Sequence, residues 1–254
     1  MSESFSAKLW RNFWTVSSLS YYLGVLPMIR IPTLLPFVFA TPFTILFILL
    51  VTGKGAAFAY GIAGAIAMTV SQQGLILGAD LTNLKIEHKF QSIVVASPVS
   101  PQTYMFSVAS AELAFAMPPI IILLAVTAYS TAGITFLALL EVIAVILLTW
   151  ITTSSIGFFL STYVLNTRTA FLTVTFISIL LSVLPPVFYP IQVIPAQLRW
   201  AAELVPTTHS SLLIQSAMGL PSTTSQTVTS WVALPVFALL FLLLALYKAK
   251  WRET

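Results

Sequence analysis

The chain contains no cysteine, so disulfides, thiolate metal sites and cysteine nucleophiles are excluded. Charge is almost as scarce. Only 7% of residues are Asp, Glu, Lys or Arg, against roughly 25% in a soluble domain, and 58% are hydrophobic. With a mean hydropathy of +0.99, such a chain cannot solvate its own surface in water, and lipid must be the solvent for most of it. Histidine is limited to His88 and His209, and neither H-E-x-x-H nor G-x-S-x-G occurs, which leaves a membrane enzyme without support. His209, beside Thr207, Thr208 and Ser210, reads as a polar cap on an outer helix rather than as a catalytic group. The first 30 residues show no compact apolar core followed by a small-residue cleavage site, so no cleavable signal is expected.

What is there is a series of long apolar stretches, at about 31–51, 56–78, 104–128, 132–162, 169–189 and 228–247. Each reaches the ~20 residues needed to cross hydrocarbon as a helix. The runs are continuous rather than alternating, so a barrel is a poor alternative. The expected fold is all-α and polytopic, with six transmembrane helices. Only the third and fourth stretches carry acids, Glu112 and Glu141. Small residues along the second, Gly61, Ala63, Gly64, Ala65 and Ala67, favour close helix contact, and Gly61 to Ala65 matches a small-xxx-small spacing.

Orientation follows from the loops. With the N-terminus inside and six spans, all of the 11 Lys and Arg except Lys54 and Arg199 lie on the cytoplasmic side. The net charge of +4 is accounted for by that bias and calls for no nucleic acid. Both termini are expected in the cytoplasm. Residues 5–23 read as an interfacial helix: Leu9, Trp10, Phe13, Trp14 and Val16 supply an apolar side, and Lys8, Arg11 and Asn12 a polar one.

Two connections are long enough to do more than turn the chain. The cytoplasmic one, about 79–103, predicts a short helix over 82–95, capped by Thr82 or Asn83 and ended by Ser97-Pro98. Lys85, Glu87, His88 and Lys89 form its charged cluster, and Leu84, Phe90, Ile93 and Val94 are apolar. Such a helix either covers the bundle or docks a cytoplasmic partner. The outer one, about 189–226, is cut by Pro190, Pro195 and Pro206 after Pro185-Pro186. It is too apolar for a free loop and too broken for a span. It predicts short re-entrant helices over 190–218, packed on the bundle near the outer end of any pathway.

Ser97-Pro98-Val99-Ser100-Pro101 followed by Tyr104 resembles the junction after the first cytoplasmic loop of ABC-2 type transporter permeases. So does the later order of Phe188-Tyr189-Pro190, Ile194-Pro195, a short Leu198–Glu203 helix and Pro206 before the last span. The chain departs from the pattern at Val205, where an Asn is common, and at Phe106 and Ser107, where a Gly is. The resemblance covers nearly the whole chain and implies a single permease domain over 1–254. It implies a plasma-membrane protein that pairs with a second permease copy, identical or not, and works with two cytoplasmic ATPase subunits. ATP and Mg would be held by those subunits, since no G-x-x-x-x-G-K-S/T occurs in this chain, and no cofactor is expected here. The 82–97 segment would be the coupling helix, with Lys85, Glu87, His88, Lys89 and Phe90 facing the ATPase. Glu112, Gln72, Gln73, Phe188 and Tyr189 are the pathway candidates, and Trp10, Arg11, Phe13 and Trp14 mark the interfacial helix in the lipid headgroups. Export of a hydrophobic or amphipathic substrate (drug, lipid or lipid-linked glycan) is the implied activity.

A proton-coupled secondary carrier is the alternative. A membrane-embedded acid would then relay protons, and Glu112 and Glu141 are the candidates. Both acids equally admit a packing role, paired with Ser110, Gln72 or Gln73.

Overall fold

A computed structural model describes residues 5–31, 33, 36, 38–40, 42–44, 47, 56–89, 93–94, 96–97, 99–130, 135–164, 166–183 and 185–248. Most of the first expected span, Lys54 and Phe90 lie outside these residues. Among the described residues there is no strand.

The chain opens with α1 (Phe5–Ser20), passes through a π-helical turn at Tyr21–Val25 and continues as α2 (Leu26–Arg30). Pro27 has no N–H to donate and its ring crowds the carbonyl one turn back, which accounts for the widened turn ahead of it. Trp10, Phe13 and Trp14 are exposed and touch one another, with ring centroids 5.8–6.3 Å apart. The expected apolar side is therefore present, although Val16 and Asn12 both turn towards the bundle. The Ser20 hydroxyl donates to the Ser107 carbonyl at 2.9 Å. Gly24 sits so close to the next helix that a Cβ there would lie 2.8 Å from the Ala111 carbonyl oxygen.

The centre of the bundle is α3 (Ala56–Ile86), 31 residues long. It packs against α4 (Pro101–Ser130), α5 (Phe136–Tyr163), α6 (Thr167–Val183) and α8 (Pro206–Ala217). Its most apolar window is 78% buried, as expected for a helix at the centre of a bundle. At 1.5 Å per residue it is about 46 Å long, more than the ~30 Å of hydrocarbon. The expected break near residue 79 is absent. Thr82 to Ile86 form the last turn of α3, not the start of a separate coupling helix, and the chain leaves it through Glu87 and His88. Lys89 follows in the left-handed region at φ 49°.

The tightest contact in the bundle joins α3 to α5. A Cβ on Gly78 would stand 2.5 Å from the Gly157 carbonyl oxygen, and one on Gly157 2.7 Å from that of Gly74. Small residues let the two backbones touch. Gly64, singled out in the sequence, serves a different partner: Val187 and Phe188 fill the space beside it.

Helix starts are set by hydroxyl and amide caps. The Ser100 hydroxyl accepts from the Thr103 N–H at 3.2 Å with Pro101 opening α4, and Thr135 caps α5 through the Ala138 N–H at 3.2 Å. The Asn166 side chain accepts from the Arg168 N–H at 2.9 Å to start α6. After α6 the chain runs through Pro185–Pro190 without helix and yet is buried up to Val187. Its carbonyls are satisfied from α8: Ser211 donates to Pro186 at 3.2 Å, and Gln215 to Val187 at 3.4 Å. Broken backbone survives at depth because protein groups replace its missing partners. Short 3-10 turns at Ile191–Val193 and Ala196–Leu198 lead to α7 (Arg199–Glu203), then α8 and α9 (Thr224–Lys248).

Four helices among the described residues are long and apolar enough to cross a membrane: Ala57–Ile86, Gln102–Ala128, Phe136–Tyr163 and Thr224–Tyr247. Thr167–Leu181 is apolar but shorter.

Candidate functional site

One face of α3 is polar where the rest is apolar. Thr69, Gln72, Gln73, Asp80 and Asn83 recur at helical spacing, with Ile76 between them. On the facing side, Val108, Glu112 and Phe115 of α4 share one face by the same spacing. Together with Leu23 and His88, these two faces enclose a cavity of about 430 Å³. Gln72 and Gln73 line an adjoining cavity of about 230 Å³, closed by Phe171, Val174 and Ser178 of α6. Gln73 and Ile76 border both.

Asp80 and Glu112 are hydrogen-bonded through their side chains. An ionised carboxylate only accepts, so a bond between two carboxyl groups requires a proton on one of them. Glu112 is 6% exposed and Asp80 is half-buried, and both line the larger of these two cavities.

The expected site residues divide. Glu112, Gln72 and Gln73 come together on the two cavities. Phe188 lies beside Gly64, about 24 Å from Asp80 toward the start of α3, so it belongs to the other end of the bundle. Tyr189 follows it, half-buried. His88 lies on the rim of the acid cavity. Glu87 is exposed and accepts from the Thr167 hydroxyl at 3.3 Å, which ties the end of α3 to the start of α6. Lys85 is half-buried in the last turn of α3, and Lys89 is exposed. Glu141 is exposed on α5 and stands apart from both cavities.

Asp80 was missed as a site residue. An acid after an apolar run reads as the start of a loop, but its spacing from Gln73 and to Asn83 continues the same helical face.

His209 is buried and joins three elements. Its Nε2 lies 2.8 Å from the Glu203 carbonyl and therefore carries the proton, and its Nδ1 lies 3.1 Å from the Ser230 hydroxyl. Burial holds its pKa below the usual histidine value, against the smaller opposite pull of the Glu203 carbonyl and charge. It is a clamp between α7, α8 and α9, in keeping with the polar-cap reading.

Residues 40–247 match the family model for the ABC-2 family transporter protein. The chain belongs to the ABC-2 transporter family. Its members are transport subunits of the membrane, generally not catalytic themselves, and normally work with ATPase subunits. The match takes in the acid pair, most of the lining of both cavities and the proline-broken segment, and begins after α1 and α2. No curated protein sequence matches the chain. As an ABC-2 permease, it presents the α3–α4 cavities as its polar interior.

Proposed function

We propose that this permease forms the pathway for ATP-driven export of a hydrophobic or amphipathic substrate across the plasma membrane. Two copies of the permease, or this chain and a related one, would share the pathway, and two separate ATPase subunits would drive it. The observation that carries the reading is the Asp80–Glu112 pair in a polar cavity on the central helix of an ABC-2 permease. A pair of carboxyl groups beside Gln73 and Asn83 suits the cationic head of an amphiphile. Apolar surroundings such as Leu23, Ile76 and Phe115 suit its body.

On this reading the chain has six spans and cytoplasmic termini. The end of α3, with Lys85, Glu87, His88 and Lys89, faces the ATPase. Because α3 runs unbroken from the acid pair to that end, a push on Glu87 would be transmitted to Asp80 through a stiff rod. Testing it requires ATP-dependent substrate uptake into inverted vesicles that hold the permease and its ATPase.

The shared proton favours one second reading, a proton-coupled carrier. In that case Asp80 and Glu112 would have to take up and release the proton in each cycle. Glu112→Gln separates the two: the amide preserves the hydrogen bond but cannot cycle a proton, so an ATP-driven exporter keeps working and a carrier stops.

A further inference from the structure

A larger cavity, of about 550 Å³, lies on another side of the bundle from the acid pair. It is bounded by α1, the beginning of α4, the second half of α5 and the end of α9. Its floor, including Thr103, Trp150, Ser154 and Phe158, is buried. Its rim carries Phe106 and Leu246, which are exposed. The lining holds hydroxyls and amides but, among the described residues, no Asp, Glu, Lys, Arg or His.

The uncharged lining decides what the cavity suits. Ser154 is 6% exposed, and its hydroxyl is buried with no hydrogen-bond partner among the described residues. Its neighbours on α5 are satisfied locally: Thr152 donates to the Leu148 carbonyl at 2.7 Å and Ser155 to that of Ile151 at 2.6 Å. The volume lies within the ~300–1,000 Å³ of ligand pockets. Absence of charge in the lining selects a neutral molecule. The exposed apolar rim and the Trp10, Phe13 and Trp14 cluster nearby on α1 place the mouth where a lipid, not water, is the neighbour.

We propose that this cavity binds a neutral membrane lipid. One hydrocarbon chain would lie against Phe106, Trp150, Phe158 and Leu246, with its ester or hydroxyl oxygens among the hydroxyls and amides of the lining. The proposal needs only that the chain is embedded in a membrane and does not depend on what the permease transports.

The test uses the full chain in phosphatidylcholine nanodiscs doped with a diacylglycerol bearing a diazirine in one acyl chain. After irradiation, labelled residues are mapped by peptide mass spectrometry. Labelling is expected to concentrate in 102–109 and 150–158. It should fall by at least about fivefold in Ser154→Leu, which fills the floor, and in Leu246→Trp, which narrows the mouth. Labelling at the exposed start of α5, around Phe136 and Leu137, should not change. Should Ser154→Leu fail to fold, Leu246→Trp at its exposed position still decides the matter. A phosphatidic acid probe with the same chains should label the cavity less. Labelling that follows surface exposure alone and ignores Leu246→Trp overturns the site, and equal labelling by the anionic probe overturns its neutral class.

Discussion

Asp80 of α3 and Glu112 of α4 join two neighbouring helices through a hydrogen bond between their carboxyl groups. In Glu112→Gln the amide donates to Asp80, so folding and transport should both survive. In Glu112→Ala, Asp80 loses its partner inside the cavity, which costs about 1–3 kcal/mol. Thermal unfolding of the purified variants should rank wild type and Glu112→Gln together, with Glu112→Ala lower. Equal melting of all three would mean that the pair contributes nothing to the fold.

The α3–α5 contact makes a sharper structural prediction. Gly78→Ala places a Cβ 2.5 Å from a backbone oxygen of Gly157, and no side-chain rotation relieves it. The helices must part, at about 1–3 kcal/mol. Gly74→Ala should be costly too, because its Cβ meets the Thr153 hydroxyl and lies 2.9 Å from the Ser154 backbone nitrogen. Detergent-solubilised yield and melting temperature should fall below wild type in both Gly74→Ala and Gly78→Ala.

How far the sequence could be read depended on which signal each element carries. The third, fourth and last expected spans, 104–128, 132–162 and 228–247, overlap α4, α5 and α9 closely because uninterrupted apolar runs leave no other solution. The broken outer segment was legible through Pro185, Pro190, Pro195 and Pro206, since proline removes helix at stated places. The end of α3 was not, because Asp80, Lys85 and Glu87 look like loop residues until a partner is known. Glu112, on another helix, supplies that partner, and single-sequence periodicity says nothing about what faces what. Gly74 and Gly78 were passed over for the same reason: small-xxx-small spacing occurs at both 61–65 and 74–78, and only the position of Gly157 distinguishes them. In the candidate site, Glu112, Gln72 and Gln73 were read from sequence, while Asp80 and Asn83 needed the packing.

His209 gives a pH prediction. Its pKa in the fold lies below the ordinary value of 6.5, so the neutral ring is the folded form. The unfolded chain therefore binds the proton first. Stability from this group is complete above about pH 6.5 and declines as pH falls below it, down to the depressed folded value. Melting temperature should drop between neutral and mildly acidic pH in wild type. The slope should be shallower in His209→Gln, which keeps a donor for the Glu203 carbonyl without titrating.

Topology can be read without background, because the chain has no Cys. Ser222→Cys and His88→Cys are both at exposed positions. A membrane-impermeant thiol reagent on intact cells should label the first and spare the second until the cells are opened. Labelling of His88→Cys from outside would reverse the orientation.

The energy source is the central claim, and transport in sealed inverted vesicles measures it directly. With permease and ATPase present, substrate uptake should require ATP, persist when a protonophore collapses the proton gradient, and continue in Glu112→Gln. Uptake by the permease alone, driven by an imposed pH gradient and abolished by Glu112→Gln, would contradict an ATP-driven exporter and identify Asp80 and Glu112 as a proton relay.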